Sequence, residues 1–239
     1  MEDKTQEGHR KRLRQKFLKA GLAGFHDYEI VEMLLTLGRT RSDCKQQAKE
    51  AIKKFKTLRG VLAASPEELQ EIEGIGPASI FSVRLIQEVA QEFLKEKILE
   101  KPFCKSPKEV YDYLNFSMRD LSKERFKGMF LNAQNQIIEV ENLFEGTLTA
   151  SAIYPREIVE KAVKHNAAAL IFAHNHPSGN PEPSDDDKQI TRDLVFVGNV
   201  MQIKVLDHII IGDNKYFSFA DAGLIEKYNL DFSSQGKKR

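Results

Sequence analysis

The chain has 239 residues, 41% of them hydrophobic, and a formal charge of +1, which suits one large globular domain or two modest ones. Cys44 and Cys104 lie far apart with no CxxC, which excludes a disulfide scaffold and a cysteine-zinc site and suits idle thiols in a reducing cytoplasm. No apolar run approaches the ~18 residues of a spanning helix, and MEDKTQEGHRKRLR has no apolar stretch of a secretory signal, so a cytoplasmic protein is expected.

Charge is unevenly spread. Residues 8–19, GHRKRLRQKFLK, gather Arg10, Lys11, Arg12, Arg14, Lys16 and Lys19 with Leu13, Phe17 and Leu18, which reads as a short amphipathic helix. Its basic face is either a solvated helix surface or a set of phosphate contacts to nucleic acid. Residues 27–37 have helical apolar spacing, and Gly38 is placed as their C-cap. Ser42 is a candidate cap for a helix over 43–55. Ser65, Pro66 and Glu68 give a further start signal, as N-cap, N1 and N3. After Ile72 come Gly74 and Gly76, then a helix to about residue 94.

Residues 95–108 turn charged and proline-interrupted, at Pro102 and Pro107, a linker composition. The expected division is therefore a helical domain over 1–101, a second domain over 102–226 and a basic tail over 227–239. The second domain is α/β. A helix is expected over 107–116, then a hairpin from strands 126–132 and 136–144. Pro155 opens a helix ending near Asn166, and a helix from about 185 to 197 precedes a strand over 201–211 and a short one at 216–219.

Between those last two helices lies the most informative stretch, LIFAHNHPSGNPEPSDDD. The apolar run over 167–173 reads as a strand, so His174 and His176, at i and i+2, project from one face. Pro177 stops the ladder. Ser184 and Asp187 then open a helix, as a capping box, as metal-site residues, or as both. Two imidazoles and a carboxylate give three protein ligands, and tetrahedral zinc keeps its fourth position for water.

The spacing His-x-His-x7-Ser-x-x-Asp resembles the signature of the JAMM (MPN+/JAB) metalloproteases. The words PREI, AHNHPSG, PS-x-x-D and LDHIIIG resemble the RadC family of JAB-domain proteins. Residues 65–94 similarly resemble a helix-hairpin-helix, whose glycines leave backbone N–H groups open to a phosphate oxygen beside a helix N-terminus. The resemblances cover nearly the whole chain. They imply a small all-α, helix-hairpin-helix N-terminal domain followed by an α/β MPN/JAB sandwich of the cytidine-deaminase-like kind, with one Zn²⁺ per chain on His174, His176 and Asp187.

Such a site needs a base. In JAMM enzymes the acid stands about fifty residues before the histidines, just ahead of the first core strand, which implies Glu124. Glu157 is the alternative, although an acid in a first helical turn also favours the helix dipole. By resemblance Ser184 donates to the oxyanion that forms on the substrate carbonyl. Asn175 falls on the opposite strand face and reads as structural. Asp207 and His208 either orient a ligand imidazole or form a buried, satisfied pair.

Two functions compete. One is zinc-dependent hydrolysis of an amide or isopeptide bond in a peptide substrate. The other is a DNA-binding repair or recombination accessory with an idle metal site, using Gly74, Gly76, Arg10, Lys11, Arg12 and Arg14. The contiguous letters HNH do not make an HNH nuclease, since Asn175 faces away from both histidines.

Overall fold

The computed structural model describes residues 3–38, 44–103, 107–146 and 153–236. Ser42, Cys104 and the terminal Lys237, Lys238 and Arg239 lie outside them. Among the described residues, no helix is long and apolar enough to cross a membrane. The chain divides into two compact units, 1–90 and 91–239.

The first unit is all helical: α1 (Asp3–Ala20), α2 (Asp27–Leu37), α3 (Lys45–Phe55), α4 (Leu58–Ala63), α5 (Pro66–Gln70) and the first part of α6 (Pro77–Ile98). Its core joins Val31 and Leu35 of α2, Ala48 and Ala51 of α3, and Val61, Leu69, Ile72, Ile75, Ile80 and Val83. The α5 start is the capping box read from the sequence, with Ser65 Oγ accepting from Glu68 N–H and the Glu68 carboxylate accepting from Ser65 N–H. Gly74, at φ +86°, lies in the turn between α5 and α6. Gly38 is the C-cap of α2, as expected, but with φ −85° it is not left-handed. Its reason is space: a Cβ there would stand 2.1 Å from the Ala78 carbonyl oxygen of α6. Glu32 of α2 is fully buried and meets His9 Nε2 of α1 at 3.0 Å.

By compactness the chain divides between residues 90 and 91, inside α6. Lys and Glu are good helix formers, so the charged run continues the helix to Ile98, which is buried in the second unit. Leu99 and Pro102 then bridge to Ile137 and Gln136.

The second unit holds α7 (Pro107–Met118), β1 (Arg125–Leu131), β2 (Ile137–Glu145), α8 (Pro155–Lys164), β3 (Ala169–Asn175), α9 (Asp185–Met201), β4 (Lys204–Ile211), β5 (Tyr216–Ser218) and α10 (Leu224–Gly236). The sheet order is β2-β1-β3-β4-β5, with β3 and β4 parallel and the other neighbours antiparallel. All seven β3 residues are buried because both sheet faces are covered. Leu170 and Phe172 pack with Ile158 of α8, Ile190 and Leu194 of α9 and Tyr228 of α10. Ala169, Ile171 and Ala173 face the other layer, with Val110 and Leu114 of α7.

Most of the expected tail is α10. Ile225, Tyr228 and Phe232 recur at helical spacing; the first two are buried, and Phe232 meets Phe196 of α9 edge-on at 5.5 Å. That period was present in the sequence and was outweighed there by the basic ending.

Candidate metal centre

The buried strand β3 sets both imidazoles. His174 is its penultimate residue, and His176 extends the pairing by one bond, its N–H donating to the Ile211 carbonyl at 2.9 Å. The following loop is folded back at Gly179, at φ +79°, whose carbonyl accepts from Asp213 N–H at 2.8 Å. Gly212 permits this approach: a Cβ there would lie 2.5 Å from that same oxygen. The loop delivers the first turn of α9, where Ser184 caps Asp187 N–H and the Asp187 carboxylate accepts from Ser184 N–H at 2.8 Å and from Ser184 Oγ at 2.6 Å.

Three ligand-type atoms converge there. His174 Nε2 lies 3.0 Å from His176 Nε2 and 3.1 Å from Asp187 Oδ1, and His176 Nε2 lies 3.3 Å from Asp187 Oδ2. Ligand atoms of all three residues fall within 4.8 Å of one another. His174 and Asp187 are buried and His176 is half-buried.

Counting protons shows what the cluster lacks. Thr191 has one hydroxyl proton and donates it to the Asp187 carbonyl at 2.5 Å, so toward His208 Nδ1, at 2.6 Å, its oxygen accepts. Burial holds His208 well below its ordinary pKa, hence neutral, and its single proton sits on Nδ1. Its Nε2 therefore accepts from His174 Nδ1, 2.8 Å away. His174 is neutral too, because burial outweighs the raising influence of Asp187. Its proton is then on Nδ1 and its Nε2 carries a bare lone pair. His176 Nδ1 donates to the Asn180 carbonyl at 2.8 Å, so in the neutral ring Nε2 is bare as well. Two lone pairs and a carboxylate thus face one another with no proton assigned between them, an arrangement that fits a cation.

Burial opposes a proton on His176 Nε2, yet Asp187, which would accept a hydrogen bond from it, raises the pKa, so a proton competes with a cation there. Burial would raise the Asp187 carboxyl, but the two imidazoles and Ser184 outweigh it and hold it far below the carboxylate range.

Glu124 immediately precedes β1. Phe126 pairs with His174, where the ladder between β1 and β3 ends, and Glu124 stands two residues before Phe126, near both histidines. Burial dominates at both imidazoles, and the Glu124 charge is a smaller influence that favours their protonated forms. Glu157 is exposed in the first turn of α8, in the ordinary place for a helix-start acid. Ser184 directs its hydroxyl proton at Asp187, so donation to a substrate oxygen requires that hydroxyl to turn.

His208 and Asp207 have separate tasks. His208 orients His174, while Asp207 accepts from Ser218 Oγ at 2.7 Å and Ala220 N–H at 2.9 Å, fixing the end of β5. The sequence alone does not single out Thr191. Its signal was the i+4 spacing from Asp187, which puts both on one face of α9.

In the first unit, Lys11, Arg12 and Arg14 are exposed on α1. Arg10 and Arg14 also line a largely apolar groove of about 540 Å³ with Leu13, Phe17, Leu34 and Leu62. At Gly74 the Gln47 side chain stands 2.7 Å from where a Cβ would be, whereas Gly76 has open space around it.

Residues 104–224 match the family described as the RadC-like JAB domain, and residues 6–81 match the family described as UPF0758 N-terminal. A UPF0758 protein of Nitrosomonas europaea is 40% identical over 214 residues, covering 90% of this chain and 96% of that protein. Another from Pseudoalteromonas translucida is 40% identical with the same coverage. One from Vibrio parahaemolyticus is 39% identical over 212 residues, covering 89% and 95%. A JAB-domain match over half the chain, on a sheet that gathers two imidazoles and a carboxylate, makes this chain a member of the RadC (UPF0758) family.

Proposed function

We propose that the protein is a zinc-dependent hydrolase of amide or isopeptide bonds, with Zn²⁺ held by His174 Nε2, His176 Nε2 and Asp187. The observation that carries this reading is the convergence of His174 Nε2, His176 Nε2 and the Asp187 carboxylate within 4.8 Å, with the far ring nitrogens bonded to His208 and to the Asn180 carbonyl. The ion would supply Lewis acidity and a water of lowered pKa. Glu124 accepts a proton at its carboxylate and returns it to the leaving nitrogen. The Ser184 hydroxyl, turned off Asp187, donates to the substrate carbonyl oxygen as it gains charge.

Two substitutions test the roles separately. Glu124→Gln should keep one zinc per chain, measured by elemental analysis, and lose about 10²-fold or more in turnover of a peptide library. His174→Ala should lose the zinc itself. Undiminished hydrolysis by Glu124→Gln would remove Glu124 from the role of base.

A second reading concerns the first unit. The exposed Lys11, Arg12 and Arg14 on one helix favour contact with a nucleic-acid backbone. Binding of duplex DNA that weakens steeply with salt and is lost in a triple Lys11→Glu, Arg12→Glu, Arg14→Glu variant supports it; salt-independent binding contradicts it.

A further inference from the structure

We propose that Asn175, the residue between the two histidines, is the positioning residue for Glu124. The inference rests on the assignment of Glu124 as base. Asn175 is fully buried and its side chain points away from the imidazoles, into the start of β1. Its Oδ1 accepts from Arg125 N–H at 2.8 Å, and its Nδ2 donates to the Lys123 carbonyl at 3.1 Å and reaches the Leu121 carbonyl at 3.5 Å. The first two belong to the peptide groups on either side of Glu124. The Glu124 carbonyl in turn accepts from Gly146 N–H at 2.9 Å.

The ladder alone does not provide this. β1 begins at Arg125 and β3 ends at Asn175, so Glu124 stands one residue beyond the regular strand. One amide side chain replaces the missing pairing, and it requires both a donor and an acceptor at one reach. Ala offers neither, Asp offers only acceptors, and Ser is too short to bridge two peptide groups. Because β3 alternates its faces, a single strand end presents the imidazoles on one side and grips the base's backbone from the other. The base and the two imidazoles are thereby held in one frame, which a catalytic geometry sensitive to shifts of about 1 Å needs.

The test uses the full chain loaded with Co²⁺, whose visible spectrum reports the coordination environment without turnover. Wild type, Glu124→Gln, Asn175→Ala, Asn175→Asp and the double variant Glu124→Gln/Asn175→Ala are compared. Asn175→Ala should bind Co²⁺ within about threefold of wild type, change the spectrum as Glu124→Gln does, and speed amide exchange at Arg125 by about tenfold or more, leaving 169–174 protected. The double variant should match Glu124→Gln alone, in spectrum and in any kcat measured, because Asn175 acts through Glu124. If Asn175→Ala does not fold, Asn175→Asp keeps the size and the bond to Arg125 N–H; it should protect Arg125 while still shifting the spectrum.

A wild-type spectrum in Asn175→Ala, additive effects in the double variant, or unchanged exchange at Arg125 each overturns the proposal. A wild-type chain that takes up no Co²⁺ counts instead against the metal reading, and the exchange measurement then decides the role of Asn175 by itself.

Discussion

At the scale of residues, the site depends on where single protons sit. The path from the Asp187 carbonyl through Thr191 and His208 to His174 assigns one tautomer to each ring, and the last of them bares the Nε2 that faces Asp187. Thr191→Val preserves the shape and removes the hydroxyl. It leaves the His208 Nδ1–H without an acceptor, at a cost of about 1–3 kcal/mol, and frees His174 to turn. Zinc affinity, measured by competition with a chelator, should fall about 10–100-fold, the usual range for partners that orient a ligand. Affinity equal to wild type would mean that packing against Phe126 and His208, with centroids 6.1 and 4.9 Å away, holds the His174 ring without the Thr191 hydroxyl. The sequence made His174, His176 and Asp187 visible because strand period and helix cap both act over a few residues. It hid the link from His208 to His174, since residues 34 apart in the chain meet only through the parallel pairing of β3 with β4. It also hid the work of Asn175, whose face was legible and whose partners were not.

Elements show the same limit. Local signals placed α5, α8, the hairpin β1–β2 and the start of α9 close to where they lie, since each is announced by a cap, a proline or a turn within four residues. The extent of α6 and the existence of α10 depend on what covers them: Ile98 and Tyr228 are apolar anchors inside segments that otherwise read as charged. Gly38 caps α2 as expected, but its second task was hidden, because a close approach to another helix leaves no local mark. Gly38→Ala would drive a Cβ into the Ala78 backbone and should destabilise the helical unit by roughly 3 kcal/mol, measured by urea unfolding. Gly76→Ala, with nothing within 4 Å, should change stability by less than about 0.5 kcal/mol. Equal effects would contradict the packing of α2 on α6.

Glu141 joins β2 to α8. A hydrogen bond from Lys161, opposed by burial and helped by His165, holds its carboxyl below the ordinary 4.5. A depressed folded pKa gives stability that is present above the unfolded value and lost as pH falls through the folded one. The wild type should therefore lose more stability than Glu141→Gln as pH drops below about 4.5. Parallel acid profiles would show that the pair adds nothing across that gap.

At the scale of the whole molecule, two units share one long helix in sequence, and among the described residues the metal-type cluster lies in 91–239. The sheet explains why the cluster forms there. Antiparallel β1 brings Glu124 to the carboxyl end of β3, parallel β4 brings His208 beneath His174, and the crossover α9 returns Asp187 to the same end. Each catalytic role proposed above follows from that convergence, and all of them fall together if no cation occupies it.

The most direct measurement is zinc X-ray absorption on the full chain after equilibration with Zn²⁺ and removal of excess. The account predicts one zinc per chain with two imidazole nitrogens at ~2.0–2.1 Å, oxygen completing the shell and no sulfur, and loss of that zinc in Asp187→Ala. A chain that retains no zinc, or a spectrum with sulfur or a single imidazole, would contradict it.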